Sequence, residues 1–235
     1  MAATSYDRAR ALYSAGRLRD ALDACIALLG SGPPSAPAVA LLATVLLDAG
    51  HPQDAAREFE RALSINAVNM EAWLGSARAA AALGNHLQAM AAVQKALSLA
   101  PLHPVVHLHS ANVMLSLGET ERAAAMARQA TQLEPGLADA WFTLALALHE
   151  SGHPDDALAA AREAHRRDGG NASFAGFRAQ LEAEAGELDT ARSALDRALE
   201  RHPRHVGLLT ESASVAARQN DVAAETEAEM DLHTD

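Results

Sequence analysis

The sequence predicts an all-α protein made of one helix–turn–helix unit repeated along the chain. Three observations carry that expectation. Hydrophobic residues form 49% of the 235 residues but aromatics only 3%. The apolar content is therefore mostly Ala and Leu, which favour helices in close contact over strands. Glycine recurs at Gly16, Gly50, Gly84, Gly118, Gly152 and Gly186, each 34 residues after the last, and Asn220 holds the next place. Gly and Asn are the residues that tolerate left-handed backbone, so the series, Asn220 included, marks a recurring chain reversal after a helix. Alanine stands seven residues before every mark: Ala9, Ala43, Ala77, Ala111, Ala145, Ala179 and Ala213. It also stands five residues after six of them: Ala21, Ala55, Ala89, Ala123, Ala157 and Ala191, with Glu225 in the seventh place. Small residues at both places let two helices approach closely. A large one there would overpack by roughly 1–3 kcal/mol.

The units follow in order at 2–35, 36–69, 70–103, 104–137, 138–171 and 172–205, then a partial unit at 206–235. In the unit 36–69, Pro52, Asp54, Ala55, Phe59 and Ala62 shape the second helix. In the unit 138–171, Trp141, Leu144, Ala145 and Leu148 lie on one helical face, and Gly152 ends that helix. Pro154 suits the first turn of the next helix, and Asp155 and Asp156 suit its dipole. Pro33, Pro101, Pro135 and Pro203 punctuate unit boundaries, with Ala67 and Gly169 in the same slot elsewhere. The last unit turns acidic ("ETEAEMD"), as a terminal capping helix facing solvent would.

These residues resemble the tetratricopeptide repeat (TPR) family. Its pattern is W-x₂-L-G-x₂-Y, then A-x₃-F, then P. Here Trp141-x₂-Leu144-Ala145-x₂-Leu148, Ala157-x₃-Ala161 and Ala55-x₃-Phe59 carry it, while Met114 or Ala80 stands at the aromatic place. The resemblance covers nearly the whole chain, which is read as a single domain, 1–235. It implies an α-solenoid of tandem helix-turn-helix repeats, a right-handed superhelix whose first helices line a concave groove. It also implies a non-enzymatic scaffold or adaptor that binds a partner peptide or protein segment there.

In that register the groove falls at the second, fifth, sixth, ninth, twelfth and thirteenth residues of each unit. Leu74, Leu108, Phe142, Leu146 and Phe177 are expected at its centre, edged by Arg78, His109, Asn112 and Gln180. An apolar floor with polar edges suits an extended or helical peptide. The alternative is that the fifth-position residues pack between adjacent first helices as core. The family's chaperone-type carboxylate clamp needs Lys and Asn at fixed groove places. Only Asn112 and Arg78 come near, so that mode is not expected.

Other functions find little support. A net charge of −11 should repel nucleic acid and anionic lipid. Cys25 has no partner for an internal disulfide and is read as a small buried hydrophobe. No signal-peptide region is evident, and the most apolar stretch, 36–47, is about half a membrane span. The chain is expected to be soluble, cytoplasmic and bacterial, with no catalytic residues, cofactor or metal. Two alternatives stay open: the targeting region of a larger enzyme (glycosyltransferase, sulfotransferase or hydroxylase type), and a self-assembling scaffold or homo-oligomer.

The stretch "PLHPVVHLHS" tests the metal reading. His103 precedes Pro104 and is biased to extended backbone. His107 fills the slot of Trp73 and Trp141, so it should pack. His109 lies about 200° further round the helix and should face the groove. The three point apart. His149 and His153 have a metal-friendly spacing, but Gly152 breaks the helix between them.

Overall fold

The computed structural model describes residues 5–232, with side chains described from Ser5 to Asn220 and at Val222. Among the described residues there are thirteen helices and no strand. They are α1 (Ser5–Ser14), α2 (Leu18–Gly30), α3 (Ala36–Asp48), α4 (Pro52–Ile65), α5 (Met70–Ala82), α6 (His86–Leu99), α7 (Pro104–Ser116), α8 (Thr120–Leu133), α9 (Ala138–Glu150), α10 (Pro154–Arg167), α11 (Ala172–Glu184), α12 (Leu188–Arg201) and α13 (Val206–Leu232). The chain divides into two compact units, Met1–Glu119 and Thr120–Asp235.

The period acts through backbone geometry. All six glycines of the series adopt positive φ, from 72° to 84°. After each, the next N–H donates to a carbonyl five residues back: Arg17 to Leu12, His51 to Leu46, Asn85 to Ala80, Glu119 to Met114, His153 to Leu148 and Glu187 to Glu182, at 2.8–3.0 Å. This is the Schellman closure, which satisfies a helix-end carbonyl and reverses the chain. Nothing lies within 4 Å of a Cβ built on any of these glycines. Conformation, not space, demands glycine there.

The alanine series acts through packing. Both alanines flanking each of the six glycines are 0% exposed. In the first unit, Val39, Ala43, Ala55, Phe59, Ala62, Ala72 and Ala79 form one core, and Ala9, Ala21, Cys25, Leu42 and Val45 another. In the second unit, Ala175, Ala179, Ala191, Leu195, Leu208 and Val215 join α11, α12 and α13. Phe59 does what none of the small residues can: its ring lies directly against Gly75 on α5. Side-chain caps on Asn69 and Asn171 fix the starts of α5 and α11. Pro52, Pro104 and Pro154 open α4, α7 and α10.

One expectation fails. The chain does not reverse at Asn220. α13 runs straight through it for 27 residues, and among the described residues no non-glycine residue has positive φ. The left-handed conformation costs Asn more than Gly. The reversal would also bring Glu225 into the slot that takes a buried alanine in every other unit, and an ionised carboxylate is costly there without a partner. The seventh unit is therefore one long helix, not a pair, as far as Leu232; residues 233–235 lie outside the described part.

Candidate interaction surface

In the first unit the first helices α1, α3, α5 and α7 lie side by side. Their common face lines a hollow of about 510 Å³, with Tyr6, Arg10 and Tyr13 from α1, Ala40 and Thr44 from α3, Leu74 and Arg78 from α5, and His109 from α7. A polar bridge crosses it. Tyr13 Oη donates to Asp48 Oδ2 at 2.6 Å, and Arg78 Nη2 donates to Asp48 Oδ1 at 2.7 Å. One carboxylate thus ties three consecutive first helices. Burial, and then the bond to Asp48, push the Tyr13 hydroxyl up to about 12. Burial, and then the charge of Glu71, raise Tyr6 as well. Another hollow, of about 630 Å³, lies between α1 and α2 and is lined by Arg8, Arg17, Asp20 and Asp23 among others. It borders the second helix and lies off the first-helix face.

In the second unit the same face carries an aromatic cluster. The Phe142 ring lies 4.7 Å from Phe174 and 5.6 Å edge-on from Phe177. His149 meets Phe177 edge-on at 5.8 Å. Glu184 forms the polar border: it lies 3.6 Å from His149 Nδ1 and accepts from Gln180 Nε2 at 2.9 Å. Such offset and edge contacts fix the rings: Phe174 is buried beneath the cluster, while Phe142 and Phe177 stay half-buried.

The predicted residues divide between surface and core. Leu74 and Leu108 are only 5% and 6% exposed. Leu74 packs with Ala96 and Val106 and reaches the hollow by an edge. The reading of both as groove centre is corrected: at these two fifth positions the leucine fills the gap between neighbouring helices and is largely buried, whereas Tyr6, at the fifth position of its own unit, is half-buried and lines the hollow. Phe142, Leu146, Phe177 and Gln180 are half-buried, as are Arg78 and His109, and Asn112 is exposed. Tyr6, Arg10, Tyr13, Asp48, His149 and Glu184 were not singled out. All occupy the fifth, ninth, twelfth or thirteenth place of their units, so the register could have found them.

The histidines act separately. His103 has extended backbone at the start of α7 (φ −96°, ψ 116°). His107 is buried, and its Nε2 lies 2.8 Å from the Pro101 carbonyl. Trp73 Nε1 donates to the Ala67 carbonyl at 2.8 Å and Trp141 Nε1 to that of Pro135 at 3.0 Å. One slot makes the same bond, six residues back, in three units. His153 meets the Ser151 hydroxyl, while His149 faces Phe177. Among the described residues no group of three or more His, Cys, Asp or Glu is placed to hold a metal. Cys25 is 0% exposed, and burial pushes its thiol up to about 11, away from nucleophilic chemistry. No helix among the described residues is long and apolar enough to cross a membrane.

Antiparallel helix pairs, closed by a left-handed glycine and packed through alanines, define an all-α helical-repeat solenoid. The sequence matches the tetratricopeptide repeat over residues 40–104, 114–181 and 148–210, more than half of the chain, and the protein belongs to that family. No curated protein matches it. Among solved structures it is similar to TTC0263, a thermophilic TPR protein of Thermus thermophilus, with 22% identity, a TM-score of 0.65, and 78% of this chain and 100% of that chain covered. It is also similar to PilF of Pseudomonas aeruginosa, with 19% identity, a TM-score of 0.68, and 84% and 90% covered. A third is YrrB, described as a TPR protein with an unusual peptide-binding site, with 19% identity, a TM-score of 0.55, and 80% and 97% covered. At these identities the likeness establishes the fold.

Proposed function

We propose that the protein is a non-enzymatic interaction scaffold that holds a segment of a partner protein on the first-helix face of its repeats. The observation that carries this is the hollow of the first unit. It offers aromatic rings (Tyr6, Tyr13), cationic and imidazole groups (Arg10, Arg78, His109) and a preformed Tyr13–Asp48–Arg78 bridge on one rigid surface. Rings with polar tips beside fixed charges are what a peptide surface needs: contact area at low entropic cost, and donors that set register. The peptide-binding site named for YrrB supports the reading by analogy within the fold.

The test compares capture by the wild-type chain, immobilised in source lysate, with capture by Arg10→Glu/Tyr6→Ala. Arg10 is exposed and Tyr6 half-buried, so the fold should survive the change. The reading expects the bound protein to be lost while the thermal melt stays close to wild type. Equal capture by both chains refutes it.

A further inference from the structure

We infer that the second unit carries a docking site of its own, on α9 and α11, for a partner segment with an arginine or lysine beside apolar residues. The inference rests on the first-helix face being the working surface, and adds to it a second site with its own chemistry. Ring size gives the first indication. At the fifth place of a unit Leu74 and Leu108 are buried, and at the sixth place Gly75 and Thr143 are buried. A leucine or a smaller residue can therefore fill either place. The second unit puts Phe142 at the fifth place of α9 and Phe177 at the sixth place of α11, and both stay half-buried. Two rings larger than the core requires thus reach the surface together, edge-on at 5.6 Å.

Charge sets the sign of what meets them. α9 contains no arginine or lysine, and its Asp139 and Glu150 are exposed. Among the described residues neither of them forms an ion pair. The one arginine of α11, Arg178, is engaged by the buried Glu182, which Arg162 of α10 also meets at 3.4 Å. Glu184, exposed at the border of the rings, meets an imidazole and an amide instead of an arginine. Elsewhere in the unit the acids differ: Glu163 on α10 and Glu187 at the start of α12 each hold an arginine.

His149 marks the seat. Its ring stands edge-on to Phe177 at 5.8 Å, and its Nδ1 lies 3.6 Å from Glu184 Oε2, against an aromatic ring and beside a carboxylate. A partner's guanidinium or ammonium in the same surroundings gains cation–π attraction from a ring face and charge attraction from Glu184 and Glu150. Apolar neighbours in the segment cover the half-buried Leu146 and the outer parts of the rings. The same carboxylates repel an acidic segment.

The experiment selects random dodecapeptides, displayed on phage, against the full chain, and measures the enriched peptides by fluorescence anisotropy. Enriched sequences should carry Arg or Lys next to an apolar residue. Glu150→Gln/Glu184→Gln in the chain, or Gln in place of that cation in the peptide, should each weaken binding by about tenfold. The two changes remove one interaction, so together they should cost little more than either alone. The melt should not move, since both glutamates are exposed. Phe177→Leu keeps an apolar side chain and should weaken the cationic peptide but not its Gln counterpart. Arg10→Glu/Tyr6→Ala alters only the hollow of the first unit and should bind these peptides as the wild type does. Enrichment of acidic or uncharged sequences, or of none, overturns the proposal, as does a Glu150→Gln/Glu184→Gln chain that binds undiminished. Binding lost in Arg10→Glu/Tyr6→Ala but kept in Glu150→Gln/Glu184→Gln places the ligand in the hollow, and overturns the second site while leaving the first-unit reading standing.

Discussion

Gly75 lies outside the 34-residue series, within α5, and the structure gives it a different task. A Cβ built there falls 2.1 Å from Phe59 Cζ, 2.2 Å from Cε1 and 2.9 Å from Cε2. Carbon atoms in contact prefer about 3.5–4.0 Å, so the ring would have to retreat by more than about 1 Å. Phe59 is 0% exposed and has nowhere to go. Overpacking of this kind costs about 1–3 kcal/mol, and a clash with the ring itself belongs at the upper end. Helix propensity pulls the other way, favouring Ala over Gly by about 0.8–1.0 kcal/mol. Gly75→Ala should therefore destabilise by about 1–2 kcal/mol net, a fall in melting temperature of roughly 2–8 °C for a chain of this size. The assay is urea denaturation followed by far-UV circular dichroism. In a Phe59→Leu background the same substitution should become neutral or stabilising. Gly152→Ala is the control. Its φ of 80° with nothing within 4 Å makes the cost, about 1–2 kcal/mol, a backbone matter that Phe59→Leu cannot relieve. A raised urea midpoint for Gly75→Ala in the wild-type chain would refute the packing argument.

Two further predictions concern charge. Tyr13 should be the last tyrosine to ionise, near pH 12, by ultraviolet titration, and Asp48→Ala should bring it down. With its folded pKa above the ordinary value of 10, its contribution to stability is intact below pH 10 and is lost as pH rises through the folded pKa. An unchanged titration in Asp48→Ala would contradict the bridge. Arg178 and Glu182 form a second case. Glu182 is 2% exposed and 3.4 Å from both Arg178 and Arg162, and its Oε2 has no hydrogen-bond partner. In two other units the equivalent pair is apolar, Leu42–Leu46 and Leu144–Leu148; in the remaining full units it is Arg8–Leu12, Ser76–Ala80 and Ser110–Met114, so no other unit pairs two charges there. Glu182→Leu alone should destabilise by leaving Arg178 poorly paired. Arg178→Leu/Glu182→Leu should match or exceed the wild type, by up to about 4 kcal/mol. A double variant less stable than Glu182→Leu alone sinks that account.

The fold was legible because its period is written in residues with one physical reason each. Glycine at a left-handed turn and alanine at a close helix contact cannot be exchanged freely, so spacing alone revealed the turns and pairs. Asn220 misled because it permits the turn without compelling it, and Glu225, five residues on, held the contrary signal. The surface was less legible. Register places a residue on a face but does not say how deep it sits, so Leu74 and Leu108 looked like groove residues and are core. Tyr13, Asp48 and Arg78 stand 30 to 35 residues apart in pairs, and their bridge needs three helices in place before it exists. Gly75 carries no signal at all without Phe59 beside it.

The central claim is that partners meet the first-helix face. Photo-cross-linking tests it most directly. A photoreactive phenylalanine analogue replaces Tyr6, on the hollow of the first unit, or Leu87, which is 89% exposed on the second helix α6. After irradiation in source lysate, the account predicts a discrete partner cross-linked from position 6 and none from position 87. Partner cross-links from position 87 alone, or equally from both, would contradict it.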